Sequence, residues 1–199
     1  MKEIKLSLPL KEVQIRSLKA GDIVYLSGMM YTARDEAHMR ALELHEEGKK
    51  LPVTFESNAV FHCGPIMKKK GDRWELVAAG PTTSSRMNSL EPKFIETFRP
   101  AAIIGKGGMS KPTIDAMSKY GCVYLAITGG AAVLAAKGIK EVKGVEWYDL
   151  GMPEALWMLQ AENFGPLIVG IDTHGNSLYL EVEKQIEKNT VEIRKRLGL

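Results

Sequence analysis

The sequence predicts an α/β fold with a partly parallel sheet, and three observations carry that reading. The second half alternates strand, glycine turn and helix. The first third is rich in strand-compatible residues. The chain has 199 residues, 45% hydrophobic and 26% charged, which is ordinary globular composition at the length of one domain. Strand–Gly–helix units place successive strands in parallel, because the connecting helix crosses back over the sheet. A single domain over residues 1–199 is expected, large enough to bury a core without metal or disulfide staples.

The elements follow in order. Gly21-Asp22 reads as a turn before a strand at Ile23–Tyr31. The period then changes: Ala37, Ala41, Leu42, Leu44 and His45 recur at helical spacing and Gly48 stops them, which predicts a helix over Ala33–Glu47 with Thr32 as its cap. Ser57–Cys63 and Trp74–Ala79 read as strands on either side of a solvated lysine turn, Lys68-Lys69-Lys70, next to the hairpin signal Gly71-Asp72. A strand at Ala101–Gly105 leads into a helix at Ser110–Tyr120. A strand at Val123–Thr128 leads through Gly129-Gly130 into a helix at Ala131–Lys137. Strands at Val145–Leu150 and Leu167–Asp172 are expected, with a helix near Pro153–Gln160 between them. The end, residues 183–199, reads as a charged amphipathic helix with Ile186, Val191, Ile193 and Leu197 turned inward.

Composition excludes several function classes. The net charge is only +3, and no basic stripe with interleaved aromatics marks a nucleic-acid or membrane surface. No apolar run approaches the ~18 residues of a membrane span. The first ten residues carry acidic and polar breaks and do not read as a signal peptide. With only Cys63 and Cys122, a cytoplasmic thiol protein is expected rather than a disulfide scaffold. Two thiols also cannot hold a cubane iron–sulfur cluster, which takes three or four.

The chemistry-bearing residues lie in glycine-rich turns. Gly80-Pro-Thr-Thr-Ser-Ser-Arg86-Met87 offers backbone N–H groups, Thr82 and Thr83 hydroxyls and one guanidinium, a set suited to an anion or equally to capping a helix. Gly105-Lys106-Gly-Gly-Met109 follows a strand and precedes the capping residue Ser110, so a helix N-terminus and the Lys106 charge point the same way. It is neither a P-loop nor a dinucleotide fingerprint. Thr128-Gly-Gly-Ala-Ala132 has the same grammar without a charge, and reads as helix–sheet packing. Arg34 stands in the first turn of a helix, where the dipole disfavours a cation. Either Asp35 or Glu36 pairs with it or an anionic ligand does. His38 and His45, seven apart, read as packing or surface residues, and His62-Cys63 would point to opposite strand faces. The result is three cations, Arg34, Arg86 and Lys106, fit for a small di- or tricarboxylate or a phosphate, with no convincing set of metal ligands: half of an active site.

At Ala79-Gly-Pro-Thr-Thr-Ser-Ser-Arg-Met87, Gly105-Lys-Gly-Gly-Met109 and Thr128-Gly-Gly-Ala-Ala132 the sequence resembles the β subunit, or C-terminal domain, of class I iron–sulfur fumarate hydratases and L-tartrate dehydratases. The resemblance runs from about Gly21 to Tyr179 and includes Thr32-Ala-Arg34-Asp35-x-Ala-His38, Gly64-Pro65-Ile66 and Gly151-Met-Pro-Glu-Ala-Leu-Trp157. It implies a swivelling β/β/α domain. It implies an α subunit that carries a [4Fe-4S] cluster, and reversible hydration of fumarate to L-malate, with tartrate dehydration or a non-catalytic carboxylate- or phosphate-binding module as alternatives. By motif position, Thr82 corresponds to the catalytic base, and Arg34, Arg86 and Lys106 to the carboxylate-binding cations. An (αβ)2 assembly, or a homodimer of this chain in isolation, is the implied oligomer. Ser84-Ser85 departs from the Ala-Gly carried by many relatives and leaves the substrate open.

Overall fold

In a computed structural model describing residues 2–198, nine strands and six α-helices form a mixed α/β fold. The central strand β2 (Ile23–Thr32) explains the rest. β1 (Glu3–Ser7) runs parallel beside its first half and β3 (Ala59–Phe61) parallel beside its second half. β3 pairs with β6 (Ala102–Gly105) and β6 with β7 (Val123–Ala126), again in parallel. The long β9 (Leu156–Ile171) then pairs antiparallel with β7 on one side and with β2 on the other. The ladder β2-β3-β6-β7-β9 thus returns to β2 as a closed ring. β8 (Ile139–Glu146) pairs with the first half of β9, and β4 (Ile66–Lys70) and β5 (Arg73–Ala78) make a separate hairpin.

The strand sequences dictate two apolar layers. Successive side chains of a strand point to opposite faces. Ala59 and Phe61, Ile104, and Val123 and Leu125 join one buried cluster, with Leu26, Met30, Trp157, Leu159 and Phe164. Val60, Ile103 and Tyr124 join a second, under α2 (Asp35–Glu46), α3 (Glu91–Phe98) and α4 (Lys111–Tyr120). Strands buried on both faces read as continuous apolar runs, as in Ala101-Ala-Ile-Ile104 and Cys122-Val-Tyr-Leu125. A short α1 (Glu12–Ser17) contributes Ile15 to the first cluster, and α5 (Ala132–Lys137) contributes Ala135. No helix among the described residues is long and apolar enough to cross a membrane.

The structure corrects five expectations. The helix near Pro153–Gln160 is the start of β9. Trp157, Leu159 and Ala161 are buried while Met158, Gln160 and Glu162 are not, a period of two that outweighs the helix-like Pro-Glu-Ala opening. The strand expected at Val145–Leu150 is displaced toward the N-terminus, since β8 stops at Glu146 and Tyr148–Leu150 forms a single 3-10 turn. Thr32 does not cap α2: its hydroxyl donates to the Ala155 carbonyl (3.2 Å) and accepts from the Trp157 amide (3.0 Å), tying β2 to β9. Lys68–Lys70 lie within strand β4, exposed, and Gly71-Asp72 makes the turn. The last helix, α6 (Leu178–Leu197), begins earlier than expected, and Ile186, Val191, Ile193 and Leu197 are exposed rather than inward.

One glycine is set by close approach. A Cβ on Gly105 at the end of β6 would stand 2.0 Å from Ser84 Oγ, far inside contact distance. Gly105→Ala is expected to cost about 1–3 kcal/mol, the range for over-packing a tight interior. A urea unfolding midpoint equal to wild type would contradict that.

Candidate active site

Four parallel strands end on the same side of the ring; the loops after β2 and β6 carry Arg34 and Lys106, and the loop after the β4–β5 hairpin brings Thr82 and Arg86 beside them. Crevices outside the carboxyl ends of parallel strands are where α/β folds bind ligands. After β2 comes Arg34, the N-cap of α2, with an extended backbone. Its cation is answered by neither neighbour in sequence. Arg34 Nη2 pairs with Glu154 Oε1 at 3.1 Å, and Glu154 Oε2 accepts the Glu36 amide at 3.2 Å. One carboxylate from the loop before β9 thus supplies both the counter-charge and the missing cap. Arg34 Nε is buried without a hydrogen-bond partner, and a Cβ on Gly64 would stand 2.5 Å from Nη1. Gly64 is therefore the residue that lets the loop after β3 lie against the guanidinium.

The loop after β5 is sewn down by its backbone. The Thr82 amide donates to the His62 carbonyl (2.7 Å) and the Ser84 amide to the Lys106 carbonyl (2.8 Å). Met87 is buried below it, and the Ser110 amide donates to Asn88 Oδ1 at 2.9 Å. Thr83 and Lys106 form a parallel bridge. Arg86 reaches across to α2, with Nη2 at 3.0 Å from Asp35 Oδ2. Lys106 is half-buried and has no ion pair among the described residues. Its aliphatic chain lies against Gly129, whose ideal Cβ would be 3.6 Å from both Cδ and Nζ. The third glycine turn therefore borders the same loops, and it also packs as expected: the Ala79 amide donates to the Ala132 carbonyl at 3.0 Å. Arg34, Thr82, Arg86 and Lys106 are thus brought together through Asp35, His62 and Thr83. Ser110 is the N-cap of α4, though its side chain makes no capping bond.

A buried polar network with no signal in the sequence lies beneath these loops. Glu91, His38 and His62 have no accessible surface. Glu91 Oε2 lies 3.0 Å from His62 Nε2 and 3.3 Å from His38 Nε2. These are ion pairs by distance, off the direction of a well-aligned hydrogen bond. His38 Nδ1 contacts the Arg34 carbonyl at 2.8 Å, so that nitrogen carries a proton. On the other side Tyr124 donates to Ser84 Oγ (3.0 Å), which is 2.9 Å from His62 Nδ1. Ser84 Oγ thus joins Tyr124 to His62, whose Nε2 faces Glu91. The protonation states follow. Burial pulls His38 down, but the Glu91 charge beside it and the bond to the Arg34 carbonyl outweigh that, so its pKa is raised. Burial dominates at His62, which is lowered. Burial would raise Glu91, but the two imidazoles hold it below the usual carboxylate range. The directions favour the positive charge on His38, beside the Glu91 carboxylate.

His38 is thus a packing residue, as read, stacked 4.4 Å from Phe94, and also a charged one. One nitrogen from each histidine and a Glu91 oxygen lie within 4.8 Å of one another. That spacing is compatible with a cation, yet the ion pair already accounts for it. The periodic signal that places His38 on α2 was legible. The contact with His62 and Glu91, from two other elements, was not.

Neither thiol belongs to the surface. Cys63 and Cys122 are buried, unpaired and raised, chiefly by burial. No thiolate of this chain is available to a cluster.

These loops and the fold that carries them define a class of protein: an α/β domain presenting an edge rich in arginine, lysine and threonine. The family model described as Fumarase C-terminus matches residues 1–182, and the chain belongs to that family. A Methanocaldococcus jannaschii protein named "Putative L(+)-tartrate dehydratase subunit beta" is 49% identical over 185 residues, 92% of this chain and 95% of that protein. The Escherichia coli K12 protein named "L(+)-tartrate dehydratase subunit beta" is 44% identical over 184 residues, covering 92% and 90%. A Geobacillus stearothermophilus protein named "Putative fumarate hydratase class I" is 41% identical over 182 residues, 91% of this chain and 34% of that longer protein. The chain is therefore of the β-subunit type of class I hydro-lyases.

Two predictions follow from the burial. Replacing one partner of a buried ion pair typically costs about 3–5 kcal/mol, so Glu91→Gln is expected to lower stability by that order near pH 6. The His38 contribution, with its folded pKa raised, is complete below the unfolded value and fades as pH rises through the folded one. Urea titrations should therefore show the gap narrowing at alkaline pH. A gap that is constant or widens there would remove the His38–Glu91 pair from the account. A thiol-exchange reagent is expected to label neither cysteine in the native chain and both in denaturant; fast native labelling would show an accessible thiol.

Proposed function

We propose that this chain supplies half of the active site of a hydro-lyase acting on a four-carbon dicarboxylate, the reversible hydration of fumarate to L-malate. The observation that carries the reading is the convergence of Arg34, Thr82, Arg86 and Lys106 on loops at one end of the parallel strands. Hydration requires both carboxylates to be held and a proton to be removed beside one of them, which builds negative charge on that carboxylate. Preorganised donors aimed at such charge are the largest single catalytic device known.

Each residue of this chain has a role in that account. The two guanidinium forks bind carboxylate oxygens in pairs. Their carboxylate partners, Glu154 and Asp35, take only part of the five donors each arginine carries, and hold the forks in place. Lys106, free of an ion pair among the described residues, is the point charge for the developing charge. Thr82, fixed by its amide to His62, is proposed as the proton-handling hydroxyl. The neighbouring cations favour its ionised form. Thr83, exposed beside it, is the second hydroxyl of the loop. Ser84 is turned inward onto His62 and Tyr124, so it takes no part in substrate recognition.

What this chain lacks points to a partner. Its thiols are buried, so the Lewis acid that such a hydration uses on the hydroxyl is proposed to be a [4Fe-4S] cluster on an α subunit, and no step of this chain's chemistry passes through it. An (αβ)2 enzyme with a domain of this type swivelling over the cluster completes the reading. A second substrate, L-tartrate, is favoured by the higher identity to proteins named as tartrate dehydratase β subunits. Tartrate carries an extra hydroxyl, and exposed Ser85 is the group on this loop suited to bond it.

The test is an anaerobic assay of the chain with its cluster-bearing partner, following fumarate by ultraviolet absorbance and tartrate dehydration in parallel. The chain alone is expected to be folded and inactive. The complex is expected to consume fumarate, and Arg86→Ala to lower turnover several hundredfold, on the order of the ~2.7–4 kcal/mol lost with one transition-state donor. Turnover by the isolated chain would refute the half-site reading. Tartrate turnover alone would move the substrate. Arg86→Ala within twofold of wild type would remove Arg86 from the site.

A further inference from the structure

The last helix, α6, is held to the body at its first turn and then leaves it. Ser177 caps it, accepting from the Leu180 amide at 3.4 Å, and Tyr179 packs on Tyr124 and over Gly108. From there on none of its residues is buried. Five apolar side chains are more than half exposed: Val182, Ile186, Val191, Ile193 and Leu197. At ~100° per residue, four of them, Val182, Ile186, Ile193 and Leu197, fall within about 60° of one another on the helix surface. Val191 lies on the far side. A narrow seam of this kind is the pattern of a helix that packs on one other helix. Most helical stability in proteins comes from such packing rather than from propensity.

The seam has a symmetry. We propose that α6 pairs antiparallel with α6 of a second copy of this chain, about a twofold axis passing between Asn189 and Thr190. In that register Val182 faces Leu197 of the second copy and Ile186 faces Ile193, so all four apolar residues are covered at once. Charges on the flank agree with the same register. Glu183, Glu187 and Arg194 share one flank of the helix. An antiparallel partner places its Arg194 level with the gap between Glu183 and Glu187, and the reciprocal contact follows from the twofold symmetry. The match of the family model ends at residue 182, where the seam begins. Apart from Val182, the seam thus lies beyond the residues that the family model matches. It gives the expected homodimer a specific interface, and it does not rest on the choice of substrate.

The test uses the full chain and reads its mass by analytical ultracentrifugation across micromolar concentrations. The wild type is expected to be a dimer. Ile186→Glu with Ile193→Glu is expected to be a folded monomer with one cooperative melt that no longer shifts with protein concentration, because both side chains are exposed in the single chain and touch no core residue. Orientation is read by oxidative cross-linking, since the native thiols are buried. Asn189→Cys should link to itself. Val182→Cys should not, but should link to Leu197→Cys when the two variants are mixed. A monomeric wild type, a dimer that survives the double glutamate substitution, or self-linking of Val182→Cys would each overturn the proposal. So would a wild-type monomer whose binding to the cluster-bearing subunit is lost in the double variant, which would give the helix to that subunit.

Discussion

The two-sided pairing of β9 is the constraint on which the rest of the molecule depends. Its sixteen residues bond to β2 along one side and to β8 and then β7 along the other. That closes the ladder β2-β3-β6-β7-β9 and leaves none of those five strands as an open edge. Closure requires bends, and the register shifts along β2 and β9 supply them, with Gly165 of β9 lying close against β2, where a Cβ would stand 2.7 Å from the Val24 carbonyl oxygen. Thr32 then locks the end of β2 to β9 from within. With β2, β3, β6 and β7 fixed in parallel, their C-terminal loops have one place to go, and that place is the edge that carries Arg34 and Lys106.

The edge itself is built from cations held by carboxylates that belong to other elements. Arg34 is secured by Glu154 and Arg86 by Asp35. Beneath them the Glu91–His38–His62 network ties three elements to the same loops: His38 holds the Arg34 carbonyl, and His62 holds Ser84 and, through its own carbonyl, the Thr82 amide. A charged pair with no access to water is costly to form and more costly to break. Its placement under the loops makes the geometry of Arg34 and Thr82 sensitive to groups that touch no ligand. The same logic explains Gly105, which is small because Ser84 occupies the space a side chain would need.

Much of the architecture was legible because its signals are local. The strand–glycine–helix grammar from Ala101 to Lys137 reproduces β6, α4, β7 and α5 to within a few residues. The two cationic glycine turns, at Arg86 and Lys106, were read from composition as parts of one site, and the fold bridges them through Thr83 and Lys106. Misreadings fell where a local signal competed with a longer-range one. Pro153-Glu-Ala resembles a helix start, but the alternation of Trp157, Leu159 and Ala161 has partners in β2 and β8 that outweigh it. The α6 seam was read as inward because amphipathic helices normally cover their own core; here the core is already closed by β9.

Residue types and spacing by themselves determined the chemistry this chain can offer: three cations and a hydroxyl pair in glycine-rich turns, and too few thiols for a cluster. Those properties reside in single residues and short motifs, where no distant contact is needed to define them. The tertiary structure alone decided which carboxylate holds which arginine, that Ser84 turns away from the loop surface while Thr83 stays exposed, and that His38, His62 and Glu91 meet out of water. Each of these is a contact between segments far apart in the chain, fixed only when the ring closes and brings the strand ends together.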